Sequence, residues 1–396
     1  MLARPDEAYP IVHVAGTNGK TSTSRMIAAL ISAHGLKTGL FTSPHLDRVE
    51  QRFEVGGFVM SDGEFAEAMS ALAPVVDLYE QRSGDGITYF ELTAALAFAW
   101  FGERTVDAAV LETGLGGRWD ATNAATSEAA VVTNIALEHT EYLGTTIAAI
   151  AAEKLAILDP GAYLVTGDMH RDALAVAEVR AAEQGAKWFR FGVDYRPVDP
   201  ATSDHGWVFG VSGVHDEYTG LDLRMRGRHQ VTNFTVAVAA VEALFDRALD
   251  EAAVRETAAR VTSPGRLETL GREPWLVADG AHNPAGMETL AAALREEFAG
   301  VGWVLVFGAM RDKDVAAMLD ALAGRVVAAH TGAADSPRAM AADETAALVR
   351  ARLGIPATPH GSVADAVAAA RASGTHVLIT GSLYVVGEAR AALGVA

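Results

Sequence analysis

From Ile11 onward, short β-branched runs alternate with longer stretches of helical periodicity. Ile11–Ala15 and Thr38–Thr42 are predicted strands on either side of a helix over Thr21–His34. Further apolar runs at Val106–Leu111 and Ala130–Ile135 are each bounded by Gly, Thr or Asn. Short buried strands separated by helices imply an α/β fold with a largely parallel sheet. The rhythm restarts near Trp275, with predicted strands at Trp275–Ala278, Trp303–Phe307, Arg325–Ala329 and His376–Thr380 between Ala-rich helices. That second run reads as a second, smaller α/β domain.

Between Tyr163 and Arg228 the pattern is less regular, and its Gly, Asp and aromatic residues predict hairpins decorating the first domain. Thr262-Ser263-Pro264-Gly265 follows a helical stretch and precedes the second run of strands, so the expected domains are 1–262 and 263–396. A chain of 396 residues suits two domains, each able to bury its own core. The longest apolar stretches, such as Ala94–Phe101, fall well short of the ~20 residues of a membrane span. Met1–Pro10 has no apolar run before a cleavage site, so a cytoplasmic location is expected.

Composition narrows the chemistry. The absence of cysteine removes disulfides, thiolate zinc sites and thioester intermediates, leaving oxygen chemistry to activate any acyl group. A formal charge of −18 argues against binding a nucleic-acid backbone.

Gly16-Thr17-Asn18-Gly19-Lys20-Thr21-Ser22 follows a predicted strand and opens a predicted helix, as a phosphate-binding loop requires. Its glycines let backbone N–H groups turn toward phosphates, and the helix N-terminus adds its positive end. Lys20 is placed to bridge β- and γ-phosphates, and Thr21 or Ser22 to reach a magnesium ion. A nucleotide site of this kind serves motors, switches and ligases alike.

Further motifs separate these. The phosphate loop, with Thr42-Ser43-Pro44-His45-Leu46, Glu112-Thr113-Gly114-Leu115-Gly116-Gly117-Arg118, Asp120-Ala121-Thr122-Asn123 and Asp279-Gly280-Ala281-His282-Asn283-Pro284, resembles the folylpolyglutamate synthase/dihydrofolate synthase family of Mur ligases. Glu153-Lys154, Gly227–Asn233, Pro264-Gly265-Arg266, Phe307-Gly308-Ala309 and Gly381-Ser382-Leu383-Tyr384 extend the resemblance over nearly the whole chain. It implies a P-loop Mur-ligase-type ATP-binding domain and a Rossmann-like C-terminal domain. It also implies an amide ligase that phosphorylates a folate carboxylate with ATP and then joins it to L-glutamate.

The resemblance assigns roles. Thr17, Asn18, Gly19, Lys20, Thr21, Ser22, Asn233, Arg266 and Asp279 are expected around the nucleotide. Ser43 and Glu112 hold a first magnesium, and His139 helps hold a second. Lys154 is expected to be carbamylated, converting its ammonium into a carboxylate-like group. Lys20, Lys154, His139, Arg266 and His282 form the catalytic set, with Arg266 read as a clamp on phosphate oxygens or the tetrahedral intermediate. His282 and Ser382 line the incoming glutamate, whereas Asp312-Lys313-Asp314 reads as a capping turn.

Asp120-Ala121-Thr122-Asn123 matches the version of its loop found in enzymes that also accept dihydropteroate, with Asp120 binding pterin amino groups. Three positions depart from the family pattern: only ten residues precede Ile11, Thr21 replaces a more usual Gly, and Glu138 replaces an Asp. The rival readings are another Mur-type amino-acid ligase and a nucleotide-dependent switch without ligation. Small-molecule substrates, no nucleic acid, no membrane and a monomer are expected.

Overall fold

A computed structural model describes residues 4–395. The chain forms two compact units, one of residues 4–203, 207–224 and 230–262, the other of 204–206, 225–229 and 263–395. No described helix is long and apolar enough to cross a membrane.

Among the described residues of the first unit, an eight-stranded sheet comprises β1 (Ile11–Ala15), β2 (Thr38–Phe41), β3 (Phe53–Val55), β4 (Phe58–Val59), β5 (Ala108–Glu112), β6 (Ala129–Val132), β7 (Tyr163–Thr166) and β8 (Lys187–Arg190). Its order is β4-β3-β2-β5-β1-β6-β7-β8, parallel except for the antiparallel β2-β3-β4 edge. β1 is central: Val14 lies opposite Glu112 of β5 on one side and Val131 of β6 on the other. After β1 the chain crosses to β2 beyond β5, and after β5 it crosses to β6, so the connections diverge at β1. Open α/β sheets bind ligands at such a divergence, beyond the carboxyl ends of the strands.

Apolar cores flank this sheet. Leu96, Ala97 and Phe101 of the helix Tyr89–Glu103 pack with Ile11, Phe41 and Leu111. Ile150 and Ala151, with Ala173 and Ala177 of the helix Arg171–Gln184, pack with Ala15, Ala130 and Val132.

The expected hairpins begin later than the sequence suggested, because 163–190 continues the parallel sheet as strand, helix and strand. The helix Arg171–Gln184 buries a stripe of Ala173, Ala177 and Ala181, whose small side chains give little apolar contrast. Three antiparallel strands follow, β9 (Arg196–Thr202), β10 (Trp207–Ser212) and β11 (Glu217–Leu223). Buried Glu242 anchors the β10–β11 turn, accepting from the N–H groups of Val214, His215 and Asp216 and from the Tyr218 hydroxyl.

Among its described residues the second unit holds a six-stranded sheet ordered β12 (Glu268–Arg272), β13 (Trp275–Ala278), β17 (Val377–Thr380), β14 (Trp303–Phe307), β15 (Val326–Thr331) and β16 (Ala357–Pro359), all parallel but the β12–β13 pair. Its core joins Trp303, Leu305 and Phe307 to Met287, Leu294 and Phe298 of the helix Pro284–Glu297. Residues 225–229 join this unit because the Arg226 guanidinium lies 5.0 Å from the ring centroids of Trp275 and Phe298 and 3.3 Å from buried Glu297.

Candidate active site

The phosphate loop leaves β1 and closes on the helix Lys20–Ala33. Gly19 caps that helix at φ +83, a left-handed conformation, and a Cβ there would lie 2.7 Å from Asn233 Oδ1. Asn233 is therefore beside the loop. The segment after β6 braces it: Asn18 N–H donates to Asn134 Oδ1 at 2.9 Å, and the Thr133 hydroxyl donates to the Asn18 carbonyl at 2.7 Å. This explains why β6 ends at Val132 rather than Ile135. Thr17 N–H donates to Asn134 O at 2.9 Å, and Thr17 Oγ1 accepts from Ala136 N–H at 3.0 Å.

Lys20 folds back over the loop, its Nζ donating to the carbonyls of Gly16 at 2.9 Å and Thr17 at 3.2 Å. Thr21 and Ser22, interchangeable in the sequence, differ here. The Thr21 hydroxyl donates to Glu112 Oε1 at 2.9 Å, whereas buried Ser22 accepts from Gln230 Nε2 at 3.4 Å. Glu112 ends β5 with only 1 % exposure, and its Oε2 accepts from Ser43 N–H at 3.0 Å. Thr21, Ser43 and Glu112 thus converge at the carboxyl ends of β1, β2 and β5.

Lys154 reverses what its local pattern suggests. It ends the helix Ile147–Lys154 with 1 % of its side chain exposed. Its Nζ donates to Gly16 O at 2.8 Å and to Glu138 Oε1 at 3.2 Å. Burial, and then the charge of Lys20, brings its pKa down to about 8. Gly117 makes the burial possible: a Cβ there would lie 2.6 Å from the Glu153 carbonyl and 2.8 Å from that of Lys154. Arg118 fastens the contact, its backbone N–H donating to Glu153 O at 3.0 Å and its Nε to Glu153 Oε1 at 2.9 Å. His139 is exposed and left-handed at φ 47, capping the short helix Thr140–Leu143.

Asp120 is buried, and the chain occupies its carboxylate. Oδ2 accepts from Gly114 and Leu115 N–H at 2.8 and 2.9 Å, and Oδ1 from Thr122 N–H and Oγ1 at 3.0 and 2.6 Å. A carboxylate accepts about four hydrogen bonds, so a pterin amino group would have to displace one of these. Desolvation nonetheless raises the Asp120 pKa against the lowering effect of its donors.

In the second unit, Asp279 follows β13 and is buried. Its oxygens accept from Leu267 N–H at 2.7 Å and Ala281 N–H at 2.8 Å. Desolvation raises its pKa, and the nearby Arg266 charge opposes that. His282 Nδ1 lies 2.8 Å from the Gly280 carbonyl, which only accepts, so that nitrogen carries the proton. Asn283-Pro284 opens the next helix, Asn283 Oδ1 accepting from Gly286 N–H at 2.7 Å. Ser382, after β17, caps the helix Leu383–Ala392 through Tyr384 N–H at 3.2 Å. Asp314 caps Val315–Asp320, accepting from Ala317 N–H at 3.0 Å, which agrees with reading Asp312-Lys313-Asp314 as a turn.

Sequence reasoning missed His13. It lies wholly buried in β1 with Nε2 2.8 Å from Thr122 Oγ1. The available clue was one polar residue inside an apolar strand.

Phosphate loop, carboxylate and lysines at the divergence point of a parallel sheet define a P-loop nucleotide-binding protein. The Mur ligase middle domain model matches residues 14–241, and the Mur ligase glutamate ligase domain model matches 265–383. A dihydrofolate synthase/folylpolyglutamate synthase of Mycobacterium tuberculosis is 38% identical over 360 residues, covering 86% of this chain and 73% of that protein. The crystal structure of the M. tuberculosis folylpolyglutamate synthase with ADP and AMPPCP aligns at a TM-score of 0.96 and 35% identity, covering 99% of this chain and 93% of that one. A folylpolyglutamate synthase complex with AMPPCP and folate aligns at 0.86 and 30% identity, covering 99% and 92%. The chain belongs to the dihydrofolate synthase/folylpolyglutamate synthase family of Mur ligases.

Proposed function

We propose that this chain uses ATP to join L-glutamate to the carboxyl group of a folate, and to dihydropteroate, releasing ADP and phosphate. The observation that carries the reading is the Glu112 carboxylate, held at 2.9 Å from the hydroxyl of phosphate-loop Thr21. Family membership supplies the substrate class, since related structures hold an ATP analogue, one of them with folate.

Residues 1–262 then act as the ATPase domain and 263–396 as the glutamate ligase domain. The backbone N–H groups around Gly19 and the Lys20 ammonium bind the β- and γ-phosphates. To do so, Lys20 exchanges its carbonyl partners for phosphate oxygens. The folate carboxylate takes the γ-phosphoryl group to form an acyl phosphate. The glutamate amine attacks the acyl carbon, and phosphate leaves as the amide forms. Arg266 stabilises anionic oxygens, Asp279 fixes the Leu267–Ala281 turn beside it, and His282 and Ser382 line the glutamate.

The donors present fit magnesium, a hard ion that takes one or two carboxylates and completes its shell with phosphate and water. Thr21 and Ser43 hydroxyls and Glu112 would hold one ion, and His139 with carbamylated Lys154 a second. Magnesium bound there neutralises charge on the phosphate oxygens. Among the described residues no three acidic or histidine side chains cluster, and this ion needs no such cage. The buried, partly neutral Lys154 amine suits carbamylation, and Glu138 beside it suits orientation of the product.

The deciding experiment supplies ATP, magnesium and labelled glutamate with dihydropteroate or tetrahydrofolate, and identifies products by mass. A glutamate adduct with each, and phosphate release dependent on both substrates, is expected. Phosphate release indifferent to them would defeat the ligase reading.

A further inference from the structure

Strand β1 is buried along its whole length, and His13 is its one polar side chain. An aliphatic residue there would fill the strand with no polar group to satisfy. Burial pushes the imidazole pKa down to about 3, so the ring is neutral. Its tautomer follows from its partner. The Thr122 hydroxyl spends its proton on Asp120 Oδ1 at 2.6 Å, so toward His13 Nε2, at 2.8 Å, it accepts. The ring proton is therefore on Nε2. Nδ1 has no partner among the described residues, a standing cost set against the single Nε2 bond.

That bond leads to the reaction site. Thr122 presses its proton on Asp120, and Asp120 holds the N–H groups of Gly114 and Leu115 immediately beyond Glu112. The far end of the same loop, Gly117-Arg118, lies against the carbonyls of Glu153 and Lys154. We infer that His13 is a positioning residue for the ligase reaction, fixing through Thr122 and Asp120 the loop that spaces Glu112 from Lys154. His13 has no exposed surface, so it acts without touching substrate. The kinetic part of this inference rests on the proposed ligase activity; the structural part does not.

His13→Leu tests it, because it removes the donor and the unpartnered acceptor together while keeping an apolar side chain of similar size. Three results are expected. The unfolding midpoint equals or exceeds that of the unsubstituted protein. Amide exchange at Gly114 and Leu115, without nucleotide, accelerates about tenfold or more. Turnover falls about 10- to 100-fold for folate and dihydropteroate alike, with KM for ATP nearly unchanged.

His13→Gln places an N–H donor the same number of bonds from Cβ and restores most of both losses. Thr122→Ser behaves as the unsubstituted protein and Thr122→Val as His13→Leu. The double variant His13→Leu/Asp120→Asn is no slower than the slower single variant. Unchanged turnover and exchange in His13→Leu, or equal losses in His13→Gln, would overturn the inference. So would a loss confined to dihydropteroate, which would make Asp120 a direct reader of the pterin. If the unsubstituted protein forms no amide product, the ligase reading fails, and the exchange rates still decide whether His13 fixes the loop.

Discussion

Equilibrating the nucleotide-free protein with ¹³C-labelled carbon dioxide tests the chemistry proposed for Lys154 with no substrate present. A carbamate forms when a neutral amine attacks carbon dioxide and a proton departs, so at fixed gas pressure the neutral fraction governs the yield. Burial and the Lys20 charge bring Lys154 from 10.5 to about 8. At neutral pH about one-tenth of such an amine is uncharged, against about 0.03% for an ordinary lysine, a gain of roughly 300-fold. Between those two pKa values the folded chain binds fewer protons than the unfolded one, so this group's contribution to stability rises with pH across the window. Below it, the buried ammonium is penalised by roughly 3 kcal/mol. Beside the signal of the α-amino group, whose ordinary pKa lies in the same range, a second carbamate resonance is expected, absent in Lys154→Gln and growing as pH is raised from about 6 to about 9. Exposed Lys37 and Lys187 should remain unmodified. Spectra of the unsubstituted protein and Lys154→Gln that do not differ, or a Lys154 resonance indifferent to pH across that range, would refute the reasoning.

Other outcomes follow from named contacts. Lys20→Ala should reduce turnover to below about 1% by removing the cation at the β/γ bridge, and near-normal steady-state rates would remove the loop from the mechanism. Gly117→Ala should destabilise the chain by about 1–3 kcal/mol in urea unfolding, since its Cβ meets two backbone carbonyls that cannot swing aside. The same variant should weaken the Lys154 carbamate resonance. Glu242→Gln should cost about 1–3 kcal/mol, since its amide oxygen can replace Oε1 while its NH2 group meets the Val214 N–H donor to donor, with KM values unchanged because the defect lies in the β10–β11 turn.

Much of this was legible in the sequence because buried parallel strands are written as short apolar runs, and the phosphate loop as glycines around a lysine. The extent of β6 was not. Thr133 and Asn134 look like its continuation, and only the approach of the phosphate loop shows why they turn away to brace it. Lys154 beside Glu153 reads as a solvated helix end, since burial there depends on Gly117, a residue distant in sequence that local periodicity does not register. Asp120 carried a legible motif, but its bonds to Gly114, Leu115 and Thr122 appear only once the loop is folded. The helix Arg171–Gln184 was obscured because alanines form its buried stripe.

The folded-back posture of Lys20 has a bearing on how the loop takes up a phosphate. Its ammonium already has two carbonyl partners at 2.9 and 3.2 Å, so an incoming ligand must offer oxygens good enough to replace them. Binding at this loop is therefore an exchange of partners for a cation already engaged, and its net gain is the difference between phosphate and carbonyl oxygens.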